Sequence, residues 1–211
     1  MQKICFNDRY GLTQAVLNGT KTMTRRVIQQ KVMDYALNDY RQKYYEAALD
    51  YLENDFDCLV GYLLVEKHTR YKRNEVVAVA QSYKDAGYNG KEKYGYCYDE
   101  NEEAVDVLFE EVKGWNNKLF VKPSKMPRQI QITDVRIEKL QAISYEDCIK
   151  EGVIEHMDSR GYCYYYVKGM DGWFHSPREA FAALINRPGV GRKGLWEENP
   201  WVVVYEFKVI K

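Results

Sequence analysis

Leu12, Ala15 and Val16 fall on one face at helical spacing, between the turn-forming "NDRYG" and Gly19. That spacing predicts a short helix, with Asn7 or Asp8 placed to cap its start and Gly19 to take a left-handed closing position. Beyond the glycine, threonines and Met23 favour an extended chain from Thr22 to Ile28. From Lys31 to Arg73 the period becomes helical on a strongly charged background, with Met33, Leu37, Tyr40, Tyr44, Ala48 and Leu52 on one stripe. "ENDFD" interrupts this run and "CLVGYLLVEKH" resumes it. Residues 30–73 therefore read as a helical hairpin inserted into, or packed on, the main domain.

"NEVVAVAQSY" returns to strand character after a turn at Asn74-Glu75. The polar, tyrosine-rich stretch 84–118 reads as a long variable loop with one short helix near 101–112. "QIQITDVRIEKL" alternates, but its parity changes at Thr133-Asp134, which predicts a bulge that bends the strand. "SYEDCIKEG" reads as a short helix with Ser144 as N-cap and Gly152 as its end. "GYCYYYVKGMDGWF" reads as a hairpin turning near Met170–Gly172, and "SPREAFAALINR" as a helix capped by Ser176 with Pro177 in its first turn and Glu179 completing a capping box. The closing "NPWVVVYEFKVI" is apolar on both faces over Trp201–Tyr205, as a central strand must be. Strands interrupted by short helices, without a βαβ repeat, predict an α+β fold built on a small barrel, in one domain spanning 1–211.

Composition narrows the function. Lys+Arg and Asp+Glu both number 31, so there is no global positive field for nucleic acid, and any such contact must be local. The apolar runs "WVVVY" and "LVGYLLV" are too short to span a bilayer, and "MQKICFNDRY" lacks the apolar stretch of a secretory signal. Five scattered cysteines without a CxxC pair, and three separated histidines, argue against a disulfide framework and a metal site. The expectation is a cytoplasmic chain without metal or cofactor.

Two stretches carry candidate chemistry. "GTKTMTRRV" places Lys21, Arg25 and Arg26 among threonines, and like charges so close call for an anionic or polar partner. Lys21, crowded by two arginines, should lose proton affinity, which suits a base or an activator of the Thr24 hydroxyl. On an ideal strand Lys21 and Thr24 would point to opposite faces, so they converge only if the chain is still turning after Gly19. Glu151 falls in the last turn of its helix, where the carbonyl end of the dipole disfavours a carboxylate. It is either exposed or paired with a cation across a cleft. "GVGRKG", from Gly189 to Gly194, lacks the spacing of a phosphate loop and reads as a flexible connection.

"LTQAVLNGTKTMTRRV" resembles the opening signature of the ASCH family, a branch of the PUA-like barrels. "FVKPSKMPRQIQITDVRIEKLQAISYEDCIKEGV" is similar to the family's MPR segment, strand and acidic helix, and "AFAALINR" with "ENPWVVVYEFK" to its closing helix and strand. The likeness covers 3–28, 74–83, 119–152 and 179–208, leaving 30–73 and 84–118 without a counterpart. The resemblance implies a PUA-like β-barrel with a cleft that binds RNA or nucleosides. A bacterial branch hydrolyses the acetyl amide of 4-acetylcytidine, and its lysine, threonine and glutamate correspond to Lys21, Thr24 and Glu151, with Arg26 as a ligand contact. Arg25 stands where that branch has an apolar residue. A local patch of Lys21, Arg25, Arg26, Lys125 and Arg128 is what could reach phosphates. The alternatives are a binding module without chemistry and a phage-derived accessory protein with a vestigial cleft.

Overall fold

The structure, a computed structural model, describes residues 1–44, 69–98, 101 and 104–210. Its centre is a five-stranded sheet of β1 (Gln2–Ile4), β2 (Met23–Val27), β3 (Val76–Val79), β6 (Gln129–Lys139) and β9 (Trp201–Val209), in the order β1-β3-β6-β9-β2. β1 runs parallel to β3, and the other pairs are antiparallel. The three strands expected over 75–81, 129–139 and 200–210 thus lie in one sheet. β9 is interior, between β6 and β2, and Val202, Val203, Val204, Tyr205 and Phe207 are all buried. That explains why its sequence is apolar on both faces.

The expected bulge is present: the β6–β9 register shifts between Ile132 and Asp134. The extra residue bends β6 and curls the sheet. Its two edge strands then approach without forming a ladder to one another. Arg26 of β2 donates from Nη2 to the Cys5 carbonyl just past β1, at 2.6 Å. Tyr71 packs edge-on against Tyr205 and donates to the Lys3 carbonyl at 2.8 Å. The fold is α+β, with an open, curled sheet.

Short helices surround it: α1 (Leu12–Leu17), α3 (Tyr145–Lys150), α4 (Pro177–Ile185) and α5 (Leu195–Glu198), with α2 (Gln30–Tyr44) following β2. Asn7 and Asp8 do not cap α1. Gly11 takes that position in the left-handed region (φ 63°), while the Asn7 carboxamide accepts from the Arg9 N–H. A tight turn closed by Gly11 N–H to Asp8 O and Leu12 N–H to Asn7 O consumes the groups a side-chain cap would have served. Ser144 and Ser176 do cap α3 and α4, accepting from the N–H groups of Asp147 and Glu179. The Glu179 carboxylate reaches back to the His175 N–H, one residue earlier than a standard capping box. We expect Ser176→Ala to cost about 1 kcal/mol in urea unfolding. A change under about 0.3 kcal/mol would mean that water replaces the hydroxyl.

The tyrosine-rich stretch differs from the expectation. Instead of a helix near 101–112, β4 (Lys93–Tyr98) and β5 (Ala104–Leu108) pair antiparallel, followed by a single 3-10 turn at Phe109–Glu111. Alternating tyrosine and valine favours extended chain over helix. Beneath it Tyr83, Tyr88, Tyr94 and Phe109 pack ring on ring in a second small core. β8 (Cys163–Tyr166) pairs with β7 (Ile154–Met157), turning near Asp158, and only a single bridge joins Tyr165 to Phe174. Ile154–Met157 is exposed throughout, so no alternation marks it as a strand. Of the helical hairpin over 30–73, α2 is present, burying Met33 and Ala36 against Ile28, Ile137 and Trp201. The expected second helix lies outside the described residues. Among the described residues no helix is long and apolar enough to cross a membrane.

Candidate functional site

The first candidate residue reaches its place because the chain is still turning when it arrives. Gly19 has a positive φ of 75°, and the N–H groups of Thr20 and Lys21 both donate to the Ala15 carbonyl. β2 begins only at Met23, so Lys21 escapes strand alternation, and both Lys21 and Thr24 line one cavity of about 540 Å³. Its size suits a small organic ligand. The N–H of Thr22 donates to the Lys150 carbonyl, tying this turn to the end of α3, where Glu151 forms the C-cap.

Glu151 is buried rather than exposed, and it is paired. The Lys21 Nζ donates to its Oε2 at 2.6 Å and to its main-chain carbonyl at 2.7 Å. The other carboxylate oxygen, Oε1, accepts from Arg25 Nη1 at 3.2 Å. A carboxylate at the dipole's unfavourable end is held there by two buried cations.

Arg25 is the hub of this arrangement. Nε and Nη2 both donate to Glu138 Oε1, at 3.0 and 2.6 Å, and Nη2 also donates to Asp147 Oδ2 at 2.7 Å. Nη1 adds the Met23 sulfur to Glu151. All five guanidinium donors are used, so Arg25 forms the cavity wall and fixes Glu151 with none left for a ligand. Arg136 joins from β6, donating to Glu138 and Asp147. Three cations (Lys21, Arg25, Arg136) thus meet three carboxylates (Glu138, Asp147, Glu151). Close ion pairing of this kind lets a charged cluster persist away from water.

The Lys21 ammonium has a lowered pKa, in the expected direction but for a different leading reason. Burial is the main cause, Glu151 opposes it, and the repulsion of Arg26 and Arg25 comes last. Burial also disfavours the Arg25 charge, but Glu151 and Glu138 outweigh it and raise the guanidinium above its ordinary value. Cys148 is fully buried nearby, and burial pushes its thiol up to about 12, which leaves it a packing group rather than a nucleophile.

The Thr24 hydroxyl makes no hydrogen bond among the described residues, and no bond links it to Lys21. Arg26 lies at the rim, its guanidinium 5.9 Å from the centre of the Phe6 ring. Lys125 and Arg128 do not line this cavity. Lys125 ends the 3-10 turn Pro123–Lys125 and Arg128 directly precedes β6, and the phosphate patch drawn from sequence does not assemble around them. The cavity instead includes Asn7, Asp8, Arg9, Asn116, Asn117 and Lys118, together with Ser82 and Asp85. These come from loops whose sequence carries no periodic signal, though "NDR" and "NNK" are dense in hydrogen-bonding side chains. Gly189 and Val190 complete the wall, so "GVGRKG" contributes to the site. Among the described residues no group of three His, Cys, Asp or Glu side chains could hold a metal ion.

Comparison with family models, curated proteins and solved structures returns no match.

Proposed function

We propose that this chain is an ASCH-like protein with an opened form of the PUA-like fold, and that its cavity binds a modified pyrimidine nucleoside and hydrolyses an amide on it. The observation that supports this reading best is the buried Lys21–Glu151 pair, set with the unbonded Thr24 hydroxyl on the wall of one cavity. Of its three N–H groups, the Lys21 ammonium commits two to Glu151, leaving its third position unassigned among the described residues. A base here would be the neutral Lys21 amine, and burial favours that form.

Lys21 would then take the Thr24 proton as Oγ1 attacks the amide carbonyl carbon. Collapse of the tetrahedral intermediate breaks the C–N bond, and the leaving nitrogen receives that proton. Water next cleaves the threonine ester, releasing the carboxylic acid and restoring the hydroxyl. Arg26 or backbone N–H groups would meet the oxyanion.

The second reading is a nucleotide-binding module without chemistry, and the missing Lys21–Thr24 hydrogen bond favours it. A screen of N-acylated pyrimidine nucleosides for release of the free amine, with the Lys21→Ala protein as control, separates the two. Turnover by the parent alone supports hydrolysis. Measurable nucleoside binding without turnover would replace it with the binding module.

A further inference from the structure

Five cations line the cavity, and they differ in how many donors they have already spent. Arg25 has none left. Lys118 donates to the Phe6 carbonyl and to Thr13 Oγ1 (3.1 Å) and pairs with Asp8 (2.6 Å), which uses all three of its N–H groups. Lys21 spends two on Glu151. Arg26 gives one to Cys5 O. The Arg9 side chain gives none among the described residues, and its guanidinium rests 5.8 Å from the centre of the Tyr10 ring.

The lining carboxylates are just as uneven. Glu151 and Asp8 are paired with cations, while among the described residues Asp85 accepts only from Ser82 Oγ, at 2.5 Å. The exposed rim therefore carries two guanidiniums with unused forks against one carboxylate. The Arg9 backbone is held in place from both sides. Its N–H donates to Asn7, and a Cβ at Gly169, where φ is +75°, would come within 2.3 Å of its carbonyl oxygen.

We propose that Arg9 and Arg26 form an anion subsite at the cavity mouth that takes the phosphate of a nucleotide unit. The ligand is then a nucleotide, free or within a strand, rather than a bare nucleoside. Planar guanidiniums match phosphate oxygens in a two-pronged fashion, and here their donors are free to do so. The proposal rests on the nucleoside reading of the cavity for the identity of the attached base. Because only two cations are engaged, the salt dependence of binding should be shallow.

The test compares equilibrium binding of cytidine, cytidine 5′-monophosphate, a cytidine dinucleotide and inorganic phosphate to the parent, Arg9→Gln and Arg26→Gln proteins. We expect a phosphorylated ligand to bind the parent at least about tenfold tighter than cytidine, Arg9→Gln to lose about tenfold of that affinity while binding cytidine as before, and Arg26→Gln to lose at least as much. Arg9→Gln is the decisive variant, since that side chain makes no hydrogen bond or ion pair among the described residues and rests only on the Tyr10 ring. Whether the monophosphate or the dinucleotide gains more tells a free nucleotide from a strand. Equal affinity for cytidine and its monophosphate, or a preference that survives in Arg9→Gln, overturns the subsite. Turnover of acylated nucleosides alongside such equal affinity leaves the hydrolase reading standing. Phosphate binding that is lost in Arg9→Gln, without any cytidine binding, does the reverse. No binding of any of the four ligands overturns both.

Discussion

Glu151→Ala should lower folding stability by about 3–5 kcal/mol, since it leaves the buried Lys21 without an ionic partner and takes from Arg25 one of its three. Lys21 is 2% exposed and Arg25 5%, so water cannot take over the role of the carboxylate. The deficit has a predictable pH dependence. A buried lysine whose folded pKa lies below its unfolded value binds fewer protons when folded, so stability rises with pH from that depressed pKa up to about 10.5. Removing Glu151 removes the interaction that holds the Lys21 pKa up, which widens this window downward. The variant should therefore recover part of its deficit in alkaline urea titrations. Replacing both partners with apolar groups, Lys21→Met with Glu151→Leu, should cost less than Glu151→Ala alone. A Glu151→Ala loss below about 1 kcal/mol, flat with pH, would show that water reaches the pair and that its burial is incomplete.

Thr24→Val should abolish turnover of an acylated nucleoside, a loss of at least about 100-fold, while Thr24→Ser retains a measurable part. Valine keeps the shape of threonine, and the hydroxyl bonds nothing among the described residues, so lost packing cannot account for such a fall. Lys21→Arg should fail as well, because a guanidinium stays protonated and cannot accept the threonine proton. Steady-state kinetics of the three proteins, with ligand affinity measured in parallel, checks the assignment. In a binding module Thr24→Val costs only about one hydrogen bond, on the order of 1 kcal/mol, and Lys21→Arg still holds an anion. A Lys21→Arg protein that turns over like the parent would remove Lys21 from the base role.

Much of the frame was legible in the chain. The strands β3, β6 and β9, the bulge at Thr133-Asp134 and the serine caps at 144 and 176 follow from period, parity and local hydrogen bonding, which act over a few residues. Where local signals compete, the reading failed. Asn7 could cap a helix or close a turn, and Gly11 decided for the turn. The tyrosines between 88 and 98 satisfied either a loop or a strand, and packing of Tyr94 in β4 against Tyr83 and Phe109 accompanies the strand solution.

The site divides along the same line. Lys21, Thr24 and Glu151 stood out because "GTKTMTRRV" crowds cations and "SYEDCIKEG" ends on a misplaced carboxylate, and both are statements about near neighbours. The function of Arg25 was beyond such reading, since its carboxylate partners are 113, 122 and 126 residues away. So was the leading cause of the lowered Lys21 pKa, which is burial rather than the adjacent arginines. Nothing in the sequence marked Arg9 or Lys118, and only the count of their donors separates them, one unspent among the described residues and the other fully bonded. Charge and hydrogen-bonding capacity are written into the residues. Which of that capacity remains for a ligand depends on desolvation and on partners brought together only by the folded sheet.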